Sequence, residues 1–286
     1  MAIDLHTHSV YSDGSDSPDE IVRRAKALGL HAVALTDHDT TAGLTEFMEA
    51  GARKGPLTIP GIELSCEYKG RDVHVLGYRI RYGEASLEDK LKAVRAEREE
   101  RNQRMLQKLS ELGYPLTYEE VCEQSHGAIV SRVHFALALW KKGYVESKNE
   151  AFDRLIGNGG PAYLPRHCMT VAEGVQTICA SGGIAVLAHP MQYQLEEAEL
   201  ERLLRHMKEC GATGVEVIHS RCPKEDTGRL IQMACRLGLS CTGGSDYHGI
   251  NKTNVFLGEG YDGARIPNAY LAALHLEEYI SISPER

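Results

Sequence analysis

The 286-residue sequence predicts an α/β fold, a barrel of seven strands coated by helices and interrupted by a small helical insertion. Three observations favour this fold. Short β-branched or apolar runs alternate with helical segments, which is typical of a parallel sheet covered by helices. Seven such runs occur, one fewer than an eight-stranded barrel needs. A long stretch without a convincing barrel strand separates the fourth run from the fifth.

The individual elements follow from local patterns along the chain. Strands are predicted at residues 2–5, 31–35, 58–64, 73–78, 184–188, 214–219 and 239–242. Helices that coat them are predicted at residues 18–28, 43–52, 170–180, 195–210 and 227–237. Ser17 is a suitable N-cap for the first helix, and Gly29 is a suitable residue to end it.

The insertion is predicted at residues 100–166, which leaves 1–99 and 167–286 as the two parts of the barrel. Residues 87–112 have the apolar spacing of a long, highly charged helix, and Gly113 and Pro115 follow its end. Shorter helices are predicted at 117–124 and 133–142, before a loop at 158–161. We expect this insertion to lie over the barrel mouth as a lid.

Composition and charge exclude several classes of protein. The net charge of −8 argues against broad coating of nucleic acid, because phosphate neutralisation needs a basic surface. No secretion signal or apolar run long enough to span a membrane is found. The eight cysteines form no C-x-x-C pair, which indicates reduced thiols in a cytoplasmic protein. Oligomeric state is not predicted, and no obligate protein partner is evident.

Nine side chains of the kind that ligate metals lie at or near the ends of predicted strands. They are His6, His8, Asp13, His38, Glu63, His74, His189, Asp246 and His248. Active sites of βα barrels lie where the strands end, so we expect these side chains to converge at one mouth. Six histidines and three carboxylates are too many for one ion. The set predicts a multinuclear hydrolytic site.

Each candidate ligand also has an alternative structural role. His6 and His8 alternate along one strand and share a face, and two buried imidazoles without a metal would need two other partners. Glu63 can bridge two metals with its two oxygens, or it can be a salt-bridged barrel carboxylate. His74 taken alone is more often a core histidine, but Glu63 nearby favours the ligand role.

The loops around two other ligands carry further expectations. Either carboxylate beside His38 can orient its ring, and Asp39 can instead cap the following helix. Gly243 and Gly244, shortly before Asp246, let the backbone pass close to a metal or a phosphate.

The ordered set D-L-H-x-H, T-D-H-D, G-x-E, A-H-P and S-D-x-H resembles the polymerase and histidinol phosphatase (PHP) family of the amidohydrolase superfamily. The resemblance covers residues 1–80 and 167–250. It implies a distorted, TIM-like (β/α)7 barrel and phosphoesterase activity with three divalent ions, either manganese, iron or zinc. The implied ligand sets are His6, His8, Glu63 and Asp246 for one ion, Glu63, His74 and His189 for a second, and Asp13, His38 and His248 for a third.

The insertion resembles the stand-alone branch of that family, which acts on 3′,5′-nucleotide bisphosphates and has relatives that trim short RNA from the 5′ end. Ser131, Arg132 and His134 begin a predicted helix, whose free N–H groups and guanidinium fork suit a phosphate. The resemblance implies that this segment contacts the second phosphate of the substrate. The alternative is a capped helix with a solvated arginine.

Three functions are therefore compared. The first is a phosphomonoesterase that uses metal-bound hydroxide to hydrolyse a bisphosphate nucleotide such as 3′,5′-adenosine bisphosphate. The second is a histidinol-phosphate phosphatase, which the same ligands would allow. The third is a regulatory module that binds metals without turnover. Arg166 and His167 are interpreted as ordinary residues, and Arg221 as a residue that can reach the mouth.

Overall fold

The structure, a computed structural model, describes residues 2–53, 55–125, 130–164 and 169–276. All seven predicted strands are present in these ranges. They are β1 (Ile3–Asp4), β2 (Ala32–Leu35), β3 (Leu57–Tyr68), β4 (Arg71–Tyr78), β6 (Ile184–Leu187), β7 (Gly214–Ile218) and β8 (Ser240–Gly243). An additional two-residue strand, β5 (Met169–Thr170), pairs with β3 outside this series.

The seven strands form a nearly closed barrel in the order β1-β2-β3-β4-β6-β7-β8. The first and last strands meet where Leu5 N–H donates to Gly243 O at 3.2 Å, and Thr7 forms a parallel bridge with Tyr247 just beyond. The predicted barrel of seven strands is therefore confirmed.

The prediction of a parallel sheet is wrong for β4, which runs antiparallel to both β3 and β6. Its two-residue connection to β3, Lys69 and Gly70, explains this direction, because such a hairpin can join only antiparallel strands. Both residues have positive φ, 51° and 76°. As a result the first half of β4, which contains His74, lies beside the last half of β3, where Ser65 pairs with it.

Helices coat the barrel in the predicted order. They are α1 (Pro18–Ala27), α2 (Leu44–Ala52), α7 (Val171–Ala180), α8 (Glu197–Glu209), α9 (Lys224–Leu237) and the short α10 (Ala269–Ala273). Ser17 caps α1, since its hydroxyl accepts from Glu20 N–H at 3.2 Å, and Gly29 follows the helix with φ 68°. Short 3₁₀ segments occupy Pro190–Tyr193, Gly249–Lys252 and Tyr261–Gly263.

Between β4 and β5 the chain forms a second group of helices. They are α3 (Ala85–Glu111), α4 (Tyr118–Ser125), α5 (Arg132–Lys141) and α6 (Lys148–Ala151), followed by a π-helical turn at Phe152–Ile156. Leu87 and Leu91 of α3 pack into the barrel core, whereas Met105 and Leu109 belong to a separate apolar cluster within residues 105–164. The insertion boundaries at 100 and 166 stay a prediction, as does the lid. Arg166 and His167 lie outside the described residues.

The barrel interior is filled by apolar side chains. Ile3, Leu5, Ile59, Leu76 and Val186 belong to one fully buried cluster. A βα barrel of this kind is a packed core and not a pore, so a substrate can reach it only at its ends.

Two further findings concern the predicted absence of membrane spans and of disulfides. Among the helices of the described ranges, none has both the length and the apolar character needed to cross a bilayer. None of the seven cysteines in those ranges forms a disulfide, and the eighth, Cys168, lies outside them.

Candidate metal centre

All nine predicted ligands meet at one mouth of the barrel. Their nitrogen and oxygen atoms form four overlapping groups, and within each group the atoms lie within 4.8 Å of one another. The groups are His8 with Asp13, His38 and His248; His6 with Glu63 and His189; His6 with His8 and Asp246; and His38 with Glu63 and His74.

Glu63 occupies the middle of the cluster and is fully buried. Its Oε1 lies 2.9 Å from His74 Nδ1 and 2.8 Å from His189 Nε2. Its Oε2 faces three other imidazole nitrogens, His38 Nδ1 at 3.0 Å, His8 Nε2 at 3.2 Å and His6 Nε2 at 3.3 Å. Burial acts to raise the pKa of Glu63, but the surrounding imidazoles hold it well below its ordinary value.

Asp246 presents its two oxygens to different partners. Its Oδ1 lies 3.3 Å from His8 Nε2, 3.5 Å from His248 Nδ1 and 3.6 Å from His6 Nε2. Its Oδ2 lies 2.6 Å from Lys252 Nζ and 3.3 Å from His219 Nε2. Burial opposes ionisation, but Lys252 and His248 hold the pKa of Asp246 well below its usual range.

Asp13 is the third carboxylate of the cluster, and it faces three imidazoles. Its Oδ1 lies 3.1 Å from His248 Nε2, 3.8 Å from His8 Nδ1 and 3.9 Å from His38 Nε2. The other nitrogen of His248 lies 2.8 Å from the backbone oxygen of Asp246, which orients that ring.

The donor set fits divalent metal ions. Six buried atoms of the cluster have no hydrogen-bond partner among the described residues: His6 Nε2, His8 Nε2, His38 Nδ1, His189 Nδ1, Asp13 Oδ1 and Glu63 Oε2. Five of the six lie 3.0–3.3 Å from another nitrogen or oxygen of the cluster without forming a hydrogen bond of good geometry, an arrangement that a shared cation would satisfy. Imidazole nitrogens and carboxylate oxygens are the ligands that manganese, iron and zinc accept.

The groups agree in part with the predicted ligand sets. His6, His8 and Asp246 come together as expected, and Asp13, His38 and His248 do so with His8 added. His74 and His189 fall into different groups, although both lie beside Glu63 Oε1. The assignment of each ligand to a particular ion stays a prediction.

Position 244 needs a residue without a side chain, but for a different reason from the one expected. A Cβ at Gly244 would lie 2.1 Å from His6 Cβ and 2.6 Å from His6 N. The close approach is therefore to His6 itself, which follows β1 and packs directly against the loop that leads to Asp246.

The carboxylates beside His38 bond to other segments of the chain and not to its ring. Asp37 accepts from the N–H and hydroxyl of Ser9, at 2.8 and 2.6 Å, and from the Ser12 hydroxyl at 2.5 Å. Asp39 accepts from Ser65 N–H at 2.8 Å and pairs with buried Arg98. The interpretation of Asp39 as the cap of α2 is wrong, because the N-cap position of α2 is Gly43.

Sequence reasoning missed several groups around the cluster. Glu216 and His219 are buried on and just past β7, and Lys252 lies on a 3₁₀ turn. Tyr193 OH donates to Ala188 O at 2.9 Å and accepts from His74 N–H at 2.9 Å. A glutamate within the apolar run Gly214–Ile218 was a usable signal, because such residues are rarely buried without a partner. Lys252 carried no comparable signal.

In the insertion, Arg132 is tied to the barrel. Its Nη2 lies 2.9 Å from Asp72 Oδ2, its Nη1 donates to Asn158 Oδ1 at 3.1 Å, and its guanidinium lies 5.4 Å from the centre of the Tyr163 ring. Arg132 is therefore paired and not solvated, whereas the capped helix of the same alternative is present. Asp72 precedes His74 by two residues on β4, so Arg132 is linked to a strand that carries a candidate ligand.

Ser131 and His134, the other predicted substrate residues, lie at the N-terminus of α5. Ser131 occupies the N-cap position of α5, and its N–H donates to Nδ1 of buried His134 at 2.9 Å. Contact of this segment with substrate stays a prediction. Arg221 is exposed, and its backbone N–H donates to His219 Nδ1 at 2.9 Å.

A barrel whose mouth gathers histidines and carboxylates in this way defines a metal-dependent hydrolase. The chain belongs to the PHP domain family, whose profile matches residues 4–217.

Three curated relatives match most of the chain. A 5′-3′ exoribonuclease of Haemophilus influenzae is 34% identical over 86% of this chain and 89% of its own length. A 3′,5′-nucleoside bisphosphate phosphatase of Chromobacterium violaceum is 34% identical over 86% and 87%. A phosphoribosyl 1,2-cyclic phosphate 1,2-diphosphodiesterase of Eggerthella lenta is 35% identical over 87% and 95%.

Solved structures agree with this grouping. A putative metal-dependent phosphoesterase from Bifidobacterium adolescentis aligns with a TM-score of 0.84 and 31% identity over 96% of this chain and 95% of its own. An amidohydrolase from Chromobacterium violaceum, with bound sulfate and no metal, aligns with the same score and identity over 96% and 97%. The predicted family and the enzyme class, a metal-dependent hydrolase of phosphate esters, are thereby confirmed.

Proposed function

We propose that this protein removes the 3′-phosphate from 3′,5′-nucleotide bisphosphates, for example converting 3′,5′-adenosine bisphosphate to AMP and phosphate. The observation that carries the proposal is the convergence of nine nitrogen and oxygen ligands around Glu63. The Chromobacterium violaceum relative named for this activity supports the choice of substrate.

We also propose three divalent ions, with manganese as the native metal and iron or zinc as alternatives. When bound, these ions supply ionised water as the nucleophile and positive charge for the phosphoryl oxygens. The nine ligand side chains would determine the position of this positive charge. Lys252 and His219 add donors on the outer side of Asp246, next to the reacting phosphate in this proposal.

Arg132 is proposed to bind the second phosphate, together with Ser131 and His134. Its planar fork suits a phosphate, and in the present structure one of its nitrogens already binds a carboxylate oxygen of Asp72. The substrate phosphate would compete with Asp72 for the same guanidinium.

The other activities are distinguished by substrate. The names of the relatives also include exoribonuclease and cyclic phosphate diesterase, so short RNA trimmed from its 5′ end is a second proposed substrate. Histidinol phosphate has one phosphate and gives Arg132 no second anion to bind. A regulatory module without turnover would show full metal binding and no release of phosphate. The cysteine pattern supports a cytoplasmic location.

The test measures phosphate release by manganese-loaded protein from 3′,5′-adenosine bisphosphate, 3′-AMP, 5′-AMP, histidinol phosphate and a short 5′-phosphorylated RNA. We expect the bisphosphate to be hydrolysed with a much higher kcat/KM than any monophosphate. Equal values for the bisphosphate and 3′-AMP would remove the argument for a second phosphate site.

Arg132→Met tests the anchor directly. A hydrogen bond to a charged group contributes roughly 1.5–3 kcal/mol, so kcat/KM for the bisphosphate should fall by about 10–100-fold. The value for 3′-AMP should change little. Arg154→Met is the matched control, because Arg154 also lies in the insertion and its partners among the described residues, Glu150 and Tyr114, lie there too.

A further inference from the structure

Glu216 is a buried carboxylate that touches two candidate ligands without being one of the predicted ligands itself. It lies on β7 and is fully buried. Its Oε1 is 3.0 Å from His6 Nδ1, and its Oε2 accepts from the backbone N–H of His189 at 2.7 Å. The three residues come from three different strands or strand ends, so this one side chain joins β1, β6 and β7.

We propose that Glu216 is a positioning residue, which sets the metal-binding orientation of both His6 and His189. The inference rests on the proposed metal centre and deepens it. It does not depend on the choice of substrate.

The effect on His6 follows from hydrogen-bond chemistry. A carboxylate oxygen only accepts, so the nitrogen of His6 that faces Glu216 carries a proton. An imidazole whose Nδ1 is protonated binds a metal through Nε2. That nitrogen is the one that lies 3.3 Å from Glu63 Oε2, and it has no hydrogen-bond partner among the described residues. Glu216 thereby selects the nitrogen of His6 that faces the centre.

The effect on His189 acts through the backbone. His189 follows β6 with φ 22° and ψ 57°, a region that residues with a Cβ rarely adopt. The bond from its N–H to Glu216 holds this turn and directs the ring into the mouth. There its Nε2 lies 2.8 Å from Glu63 Oε1.

Two other buried carboxylates near the mouth, which are not candidate ligands, have different partners. Asp4 accepts from Ser245 and Gly258, and Asp37 accepts from Ser9 and Ser12. Their donors are backbone N–H groups and hydroxyls, which hold loops in place. Glu216 differs because one of its donors is an imidazole ring.

The test is Glu216→Gln, which keeps the shape of the side chain and replaces one acceptor oxygen with an NH2 group. Whichever way the amide turns, its NH2 faces either the Nδ1–H of His6 or the N–H of His189, so one of the two bonds is lost. We expect the affinity for Mn²⁺ to fall by about 10–100-fold, the range typical of groups that orient metal ligands. Saturating Mn²⁺ should restore much of the lost phosphatase activity.

Affinity is measured by competition with a chromophoric chelator in the absence of substrate, and folding is checked by circular dichroism of the same sample. Glu199→Gln is the matched control, because this carboxylate lies on α8 and pairs with Lys69 and Arg202. Its Mn²⁺ affinity should equal that of the wild type.

A folded Glu216→Gln protein that binds Mn²⁺ as tightly as the wild type would overturn the proposal. If that variant does not fold, Glu216→Asp replaces it, since aspartate keeps both acceptor oxygens but is too short to reach both donors. Unchanged Mn²⁺ affinity in the aspartate variant would equally overturn it. Because no substrate is present, a wild-type protein inactive on bisphosphates would refute the proposed substrate and leave this result standing.

Discussion

Glu63 is the carboxylate with the most imidazole neighbours at the mouth, because its two oxygens face five imidazoles from β4 and from the segments that follow β1, β2 and β6. A glutamine at this position would keep the volume and lose the negative charge. We expect Glu63→Gln to lose bound metal and at least ~100-fold of the activity. Glu63 is a proposed metal ligand, whereas Glu216 only orients two such ligands, so the loss should exceed the one expected for Glu216→Gln. Elemental analysis after dialysis and a phosphate-release assay measure the two effects.

The control for this change is Glu67→Gln on the same strand. The Glu67 side chain accepts from Gly70 N–H in the hairpin, and a glutamine oxygen can accept the same bond. Metal content and turnover should stay at wild-type levels. Normal metal content in Glu63→Gln would contradict the central place given to Glu63.

The imidazoles also predict how metal binding depends on pH. Burial acts to lower the pKa of His8, but its contacts with Asp246 and Glu63 raise it to about 9. Burial lowers the pKa of His189 to about 4, so this ring is neutral at pH 7. A metal binds the neutral ring, so Mn²⁺ must displace a proton from His8 and its affinity should rise between pH 7 and 9. Calorimetry in buffers of different protonation enthalpy measures the released proton.

The metal-free protein should respond to pH in the opposite direction. The folded-state pKa of His8 lies above its unfolded value of about 6.5, so its contribution to stability is complete below pH 6.5. That contribution is lost as the pH rises through 9. Thermal unfolding of chelator-treated protein should therefore show a lower Tm at pH 9 than at pH 6.5. An unchanged Tm would show that His8 is not charged in the metal-free state.

At the scale of elements, α3 joins the insertion to the loop that follows β2. Arg95 donates to Asp39 O at 3.0 Å, and buried Arg98 pairs with the Asp39 carboxylate, one residue after His38. Removing one partner of a buried ion pair costs about 3–5 kcal/mol. Ser65 still donates to Asp39, so we expect Arg98→Met to lower the free energy of unfolding by about 3 kcal/mol, the lower end of that range.

Urea unfolding measures this loss, and Arg104→Met on the same helix is its control. Arg104 is exposed, and such a substitution usually changes stability by less than about 0.5 kcal/mol. Equal unfolding free energies for the two variants would refute a structural role of the Arg98 pair.

The contact between β1 and the loop after β8 gives another prediction. Gly244→Ala would place a methyl group against His6, and forcing extra volume into a packed site costs about 1–3 kcal/mol. The displaced His6 should also weaken metal binding. Urea unfolding and the chelator competition measure the two effects.

Gly228→Ala is the matched control for that change. Gly228 lies in α9, and a Cβ at this position would have no neighbouring atom within 4 Å, so alanine there meets only open space. Replacing a helical glycine by alanine should stabilise the protein by roughly 0.5–1 kcal/mol. A Gly244→Ala protein as stable as the wild type would show that β1 and the loop can separate freely.

At the scale of the whole molecule, removal of metal should lower the thermal stability of the barrel. The centre draws ligands from residues 6 to 248, so an ion that binds only the folded state stabilises the entire barrel. At a metal concentration 100 times Kd, one site contributes about 2.7 kcal/mol. For a chain of this size we expect Tm to fall by roughly 5 °C or more on chelation and to recover with Mn²⁺. Scanning calorimetry measures the change, and an unchanged Tm would contradict the metal centre.

Much of the fold was predictable because its signals are local. The seven barrel strands, the cap at Ser17 and the stop at Gly29 each depend on a few neighbouring residues. The direction of β4 was not recognised, although Lys69 and Gly70 mark a tight turn. Alternation of strands with helices favours parallel pairing. No helix separates β3 from β4, and this indicated antiparallel pairing at that point.

The sequence by itself determined the types of ligand and their order along the chain, because these are properties of short segments. The prediction that Glu63 ends its strand is wrong, because β3 continues to Tyr68 and β4 pairs beside it, so Glu63 and His74 both lie within strands. Only the tertiary structure decided which side chains share Glu63, and that Glu216 joins His6 to His189. Glu216 lies 210 residues from His6 along the chain. Contacts of that separation depend on how the barrel closes, which places atoms to within a hydrogen-bond length, and no local pattern carries that information.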